Sequence, residues 1–310
     1  MRRWERLVEE YIGACEVRGL AEGTRVHRRA ELERWGAWMR RRRTPRRLEE
    51  VDAPLLIAYL RARMAFRSKS TLAGTMTAMR GMGEHLVEHG VWRSNPLRWM
   101  RGPKLDARMR VPRRIGAEAM RTLWRAASGQ RSPYQQHLWT ALLGVLYGTG
   151  LRRGELERLE LGSWHREEGV LEVDGRKTGW ARRVPVPPLA ERCLELYLPQ
   201  RHNQLERRGR LEETALFVNH RGGRLSGQAV SQGVARLAER AGLEGITLHA
   251  FRHSCASDLL EAGVHLPEVM QWLGHRCVST TVRYLAIADR QRHAAIERHP
   301  LNDWLCREAA

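Results

Sequence analysis

Residues 247–263, TLHAFRHSCASDLLEAG, read as a capped amphipathic helix. Thr247 is a natural N-cap, and Leu248, Phe251, Cys255 and Leu259 supply an apolar side. His249 and Arg252 fall three residues apart on one face near the start. A helix start that offers an imidazole, a guanidinium and unpaired backbone N–H groups suits a phosphate. Standing alone, the stretch reads better as an ordinary capped helix with incidental charges.

Its surroundings change that reading. Downstream, Pro267 lies near the first turn of a second helix and Gly274 ends it, which leaves His275 just beyond the C-terminus. Ser279 caps another helix and places Tyr284 in its second turn. Upstream, a strongly apolar helix from Tyr134 to Tyr147 is broken by Gly148-Thr149-Gly150. Arg152 sits at the break, and Glu155 follows on a resumed helix that runs to Leu161. Between these lies a short β region. Val170–Val173 alternates, Asp174-Gly175 begins a turn and Arg183–Val186 returns, with Lys177 inside the hairpin. Leu216–Val218 is a further strand candidate, and from Gln228 the chain is helical again.

The first third reads as helices. Trp4, Leu7, Val8, Tyr11 and Ile12 recur at helical spacing. Thr24 opens a second helix that passes Leu32, Trp35 and Met39 and ends in Arg40, Arg41, Arg42 and Arg43. Asp52 caps a third, with Pro54 in its first turn. Ser70 or Thr71 begins a fourth that runs past Met76, Met79, Met82 and Leu86 to Gly90. The segment 95–112 lacks periodicity, contains Gly102-Pro103 and reads as a linker. The organisation expected is a helical domain over 1–105 and a mainly α domain with a small sheet over 106–310.

Charge narrows the function. The 310 residues hold 54 Lys and Arg against 35 Asp and Glu, a net +19. Residues 1–105 carry +11 of that excess, with 23 bases against 12 acids. Such a surplus points to a polyanion, nucleic acid before an anionic membrane surface. The longest apolar run, Trp139–Leu151, is too short to cross a bilayer, and the N-terminus shows no apolar secretory core. Five scattered cysteines make no disulfide framework, which fits a reducing, cytoplasmic setting. Only three of the 54 bases are lysines, Lys69, Lys104 and Lys177. Coding bias explains arginine over lysine, and it makes a surviving lysine informative.

Taken together, these positions resemble the tyrosine site-specific recombinases, which include phage-type integrases and the Xer chromosome-dimer resolvases. The resemblance rests on Gly148–Arg152 with Glu155, and on Lys177 eight residues before Pro185. It continues through His249 to Gly263, Trp272-Leu273-Gly274-His275, Ser279-Thr280-Thr281 and Tyr284. The first third resembles the family's core-binding domain more weakly, down to Asn95-Pro96 and Pro103-Lys104.

That resemblance implies a two-domain, C-shaped clamp on duplex DNA. It implies a Tyr284 attack on a phosphodiester that leaves a 3′-phosphotyrosyl link, with strand exchange through a Holliday junction between four protomers. Arg152, Arg252 and His275 would hold the phosphate oxygens, His249 would take the tyrosine proton and Lys177 would protonate the departing 5′-oxygen. Arginine cannot do that last task because it does not release its proton. Glu155 reads either as the partner of Arg152 or as a solvated helix charge. The ester stores the bond energy, so neither ATP nor a metal or other cofactor is called for, and no Cys/His set shows standard zinc spacing.

Arg40–Arg43, Lys69 and Lys104 are the candidate phosphate contacts of the first domain. Tyr11, Tyr59, Tyr134, Tyr147 and Tyr197 read as core. The tail with Leu301, Trp304 and Leu305 reads as docking on a neighbouring subunit or packing in cis. The rival readings are a type IB topoisomerase-like relaxing enzyme and a non-catalytic architectural DNA binder, for which basic charge alone suffices.

Overall fold

The computed structural model describes residues 2–42, 47–65, 68–103, 114–175 and 181–274. The chain divides into two compact units, Met1–Arg110 and Val111–Ala310.

The first unit is helical. Helix α1 (Arg2–Val17) packs on α2 (Glu22–Arg42), and α3 (Ala53–Met64) and α4 (Lys69–Glu88) complete the bundle. Its core is aromatic and sulfur-rich: Trp4, Tyr11, Trp35, Tyr59, Met79 and Met82 are all buried. The Asp52 carboxylate caps α3 by accepting from the Leu55 amide at 2.9 Å. Two helix starts differ from expectation. Helix α2 begins at Glu22, so Thr24 lies inside its first turn, and α4 is capped by Ser68, which accepts from the Thr71 amide at 3.3 Å. Each start moves upstream because a residue that can cap need not, once an earlier turn closes. The linker is also shorter than 95–112. Leu97 is fully buried in this core, and Asn95 donates to the Arg80 carbonyl at 3.0 Å.

The second unit is built around α6 (Pro133–Thr149), which is apolar on every side and therefore central. It packs against α5 (Ala117–Ser128), α8 (Pro188–Glu206) and α10 (Leu248–Glu261), while α9 (Gly227–Arg240) covers α5 and α7 (Arg153–Glu157). The last described helix is α11 (Leu266–Leu273). A small antiparallel sheet runs β1 (Trp164–His165), β2 (Val170–Val173), β3 (Arg182–Pro185), with Leu171 opposite Val184 and Val173 opposite Arg182.

Several details depart from the sequence reading. The resumed helix after Arg152 is only Arg153–Glu157, followed by a separate 3-10 turn at Leu161–Ser163. Leu216–Val218 is buried but forms no strand. Its backbone is held by single main-chain bonds, the Leu216 amide donating to the Leu159 carbonyl and the Leu225 amide to the Phe217 carbonyl, both at 2.9 Å. At Val218 it is held by tyrosines, the Tyr197 hydroxyl accepting from its amide at 3.0 Å and Tyr134 donating to its carbonyl. Helix α8 was not expected; Pro187-Pro188 form its start, and Pro199 sits inside it.

Candidate active site

Two left-handed glycines shape the site. Gly150 (φ +61°) ends α6 and turns the chain into Arg152, and a Cβ on it would meet Leu273 Cδ2 at 2.7 Å. Gly274 (φ +66°) ends α11, and a Cβ there would meet the Arg182 guanidinium at 2.9 Å. Both positions require the conformation and the close approach that only glycine gives cheaply.

Between these turns three arginines close on the carboxyl end of α11. Arg252, in the first turns of α10, donates to the Gly150 carbonyl at 2.8 Å and to the Leu273 carbonyl at 2.6 Å. Arg152, the N-cap of α7, reaches the same Leu273 oxygen at 3.2 Å and the Gly274 carbonyl at 2.7 Å. Arg182, the first residue of β3, donates to the Trp272 carbonyl at 2.8 Å. The last turn of a helix leaves its carbonyls unpaired at the negative end of the macrodipole, so guanidinium donors are favoured there.

Glu155 ties the cluster together. Its carboxylate accepts from the Arg152 guanidinium and amide, both at 2.8 Å, and from both Nη atoms of Arg182 at 3.1 and 2.9 Å. Only 3% of Glu155 is exposed, so it is a fully satisfied buried carboxylate rather than a solvated helix charge. Burial on its own would raise its pKa. The Arg182 hydrogen bonds, the Arg152 amide, the Arg182 charge and the Arg152 side-chain bond outweigh burial and hold it at about 2.

Three guanidiniums and one carboxylate leave a surplus of two positive charges among largely buried side chains. Arg252 is buried, whereas the Arg152 side chain keeps 27% of its surface exposed. A guanidinium carries five N–H donors, and the bonds named here take three of those on Arg152. The arrangement is suited to an anion with several acceptor oxygens.

The structure thus brings together Arg152, Glu155 and Arg252. His249 stands exposed in the first turn of α10, which Thr247 caps by accepting from the Ala250 amide at 3.1 Å. Lys177, in the segment joining β2 to β3, and His275 and Tyr284 lie outside the described residues, as do the Cys277 and tail positions. Cys255 is buried against Gly150, and burial pushes its thiol up to about 12, which suits packing rather than metal ligation.

Of the alternative tyrosines, Tyr11, Tyr59, Tyr134 and Tyr197 are buried and Tyr147 donates to Asp258 at 2.7 Å. Burial raises the pKa of all five, to about 12 at Tyr11, Tyr59 and Tyr197. In the first unit Arg40, Arg41, Arg42 and Lys69 are exposed; Arg42 lies over the Trp38 ring, 4.7 Å from its centroid, and Arg43 and Lys104 lie outside the described residues.

Arg182 is the residue that sequence reasoning missed. The strand was expected to start at Arg183; started one residue earlier, its alternation puts Arg182 on the face of buried Val184 and Arg183 outside. Their side chains are accordingly 8% and 52% exposed.

Residues 113–291 match the phage integrase family. The chain belongs to that family. It is 30% identical over 290 residues to tyrosine recombinase XerC of Roseiflexus castenholzii, covering 92% of this chain and 90% of that one. It is 32% identical over 281 residues to XerD of Mycobacterium tuberculosis, covering 87% and 89%. In fold it resembles a lambda integrase dimer bound to a COC′ core site, with a TM-score of 0.67 at 18% identity over 90% of this chain and 76% of that one. This tyrosine recombinase is therefore a DNA strand-transferring enzyme of mainly α architecture with a small sheet.

Proposed function

We propose that the enzyme cuts and rejoins duplex DNA at a specific site, one strand at a time, with Tyr284 as nucleophile. The observation that carries this reading is the convergence of Arg152 and Arg252, one hundred positions apart, on a single oxygen atom, that of Leu273. Both guanidiniums are thus aimed at one acceptor, inside a cluster with surplus positive charge, two residues before His275. A non-bridging phosphate oxygen taking the place of that carbonyl would receive donors from both, where charge gathers in the pentavalent transition state.

In the step itself the Tyr284 oxygen bonds to phosphorus and the bond from phosphorus to the 5′-oxygen breaks. His249 accepts the phenolic proton and Lys177 supplies one to the departing oxygen. His275 adds a third donor to the phosphate. Glu155 and Arg182 act through Arg152 by fixing its guanidinium. The burial or internal pairing of the other five tyrosines supports Tyr284 in the nucleophile's place.

The basic first unit would hold the flanking duplex, with Arg40–Arg43, Lys69 and Lys104 on phosphates. Four protomers on two sites would exchange strands through a Holliday junction, and the tail would dock on a neighbour. The fold relative solved as a dimer on its DNA site supports assembly on the substrate. Among the described residues no helix is long and apolar enough to cross a membrane, and the reducing cytoplasm is the proposed setting.

Incubation with a nicked suicide substrate tests the reading. A covalent protein–DNA complex is expected from the wild type and none from Tyr284→Phe. A complex that survives Tyr284→Phe, or none from the wild type on DNA that it demonstrably binds at its own site, overturns it. Lys177→Arg should keep DNA affinity and lower cleavage, and equal cleavage would remove the general-acid role.

A further inference from the structure

The first unit holds a cluster of side chains for which the strand-transfer chemistry has no use. His85 and His89 stand one turn apart at the carboxyl end of α4, and Glu10 comes from α1, which packs against α4. One ligand-type atom from each lies within 4.8 Å of the other two. The two imidazole rings are 4.0 Å apart between centroids.

Three details give this juxtaposition a direction. Nε2 of His85 is buried and has no hydrogen-bond partner among the described residues, where a buried polar atom ordinarily has one. Nδ1 of His89 lies 2.9 Å from the His85 main-chain oxygen. A proton donated there leaves the Nε2 lone pair available, which is how metal-ligating histidines are commonly oriented. His89 is also the C-cap of α4, where partial negative charge favours a cation, and both it and Glu10 are exposed, so an ion can enter. A tilted ring contact alone would account for the closeness of the imidazoles, and Arg6 meets the exposed Glu10 carboxylate at 3.5 Å, but neither satisfies the buried His85 nitrogen.

We infer that Glu10, His85 and His89 bind a divalent transition-metal ion, Zn²⁺ by ligand chemistry, which fastens α1 to α4. Two imidazoles and a carboxylate are a set that tetrahedral zinc accepts, with water in the fourth position. Mg²⁺ and Ca²⁺ prefer oxygen ligands and fit poorly. Zinc bonds of roughly 2.0–2.2 Å place tetrahedral ligands about 3.5 Å apart. The exposed Glu10 and His89 side chains therefore need to close by no more than about 1.3 Å on binding. The role is structural, and it holds whether or not the catalytic assignments above are right.

The test uses the full chain, stripped with a chelator and titrated with Zn²⁺ by calorimetry, with Mg²⁺ in parallel and thermal unfolding as the second readout. One Zn²⁺ per chain is expected, with a Tm rise of about 5 °C at saturation, and no rise with Mg²⁺. Co²⁺ in place of Zn²⁺ should show the absorption of a tetrahedral site. Glu10→Gln and His89→Ala, both at exposed positions, should keep the metal-free Tm, weaken Zn²⁺ about 100-fold or more and lose the Tm rise. Absence of a saturable site, or Zn²⁺ binding and stabilisation undiminished in both variants, overturns the inference.

Discussion

Each unit of this recombinase buries one glutamate among arginines, and the two knots are built for different ends. In the first, Glu31 of α2 accepts from Arg34 at 2.6 Å, from Arg63 of α3 at 2.9 Å and from the Thr75 hydroxyl of α4 at 2.8 Å. Those bonds join three helices and close on the carboxylate. In the second, Arg152 and Arg182 satisfy Glu155 and then reach past it to the carbonyls that end α11. The first knot is a fastener. The second holds its cations against the main-chain carbonyls that end α11, the acceptors that a phosphate oxygen replaces in the proposed function.

The largest effect should come from breaking the outward reach of the second knot. Arg152→Ala removes a donor from the proposed transition-state clamp and should lower cleavage about 10²–10³-fold. Single-turnover cleavage of a suicide substrate measures it, with DNA affinity as control. A change below tenfold would place Arg152 with the fasteners.

The counterpart in the first unit is Arg63→Ala. It leaves Glu31 buried with one guanidinium fewer, so stability should fall by about 3 kcal/mol in urea titration. Cleavage by the folded fraction should stay within about threefold. If cleavage falls as steeply as it does for Arg152→Ala, the distinction between the two knots is lost.

Acid sharpens the same contrast. The Glu155 carboxyl is held at about 2 against an ordinary 4.5. Its contribution is therefore complete above the unfolded value and drains as the pH falls from about 4.5 towards 2. A shift of this size corresponds to stability on the order of 3 kcal/mol. Urea titrations between pH 5.5 and 3.5, a working range of about two units around the unfolded value, should show a steeper loss for the wild type than for Glu155→Gln. Parallel curves would mean that the carboxylate is not what the arginines stabilise.

Much of this was readable before the fold was known, and the misses have a pattern. Thr247 and Asp52 announced their helices because a cap and its amide partner lie three residues apart, and Gly150 and Gly274 announced the ends because a left-handed turn is a local demand. Arg152 and Arg252 stood out by their setting. What escaped depends on distance along the chain. Nothing near Arg182 reveals that its partner is Glu155, 27 positions earlier, and the alternation that would have turned it inward was hidden by starting β3 one residue late. Helix α8 escaped because Pro199 argues locally against a helix that burial of Cys193, Leu194, Tyr197 and Leu205 enforces. Arg182 also yields a prediction of its own. Arg182→Lys keeps the charge but loses the two-pronged bond to Glu155, so cleavage should fall about tenfold at unchanged DNA affinity, as befits a positioning residue.

The smallest effect on stability belongs to the exposed arginines at the end of α2. Arg40 meets Glu5 at 3.4 Å with both side chains exposed, an ion pair worth under about 0.5 kcal/mol. Arg40→Ala should leave the urea midpoint in place. If the row serves DNA instead, the same change should weaken binding by a similar factor on every sequence. It should also flatten the plot of log affinity against log salt by about one unit. A variant with reduced affinity and an unchanged salt slope would mean that Arg40 touches no phosphate, and the first unit's excess charge would then have to act through other residues.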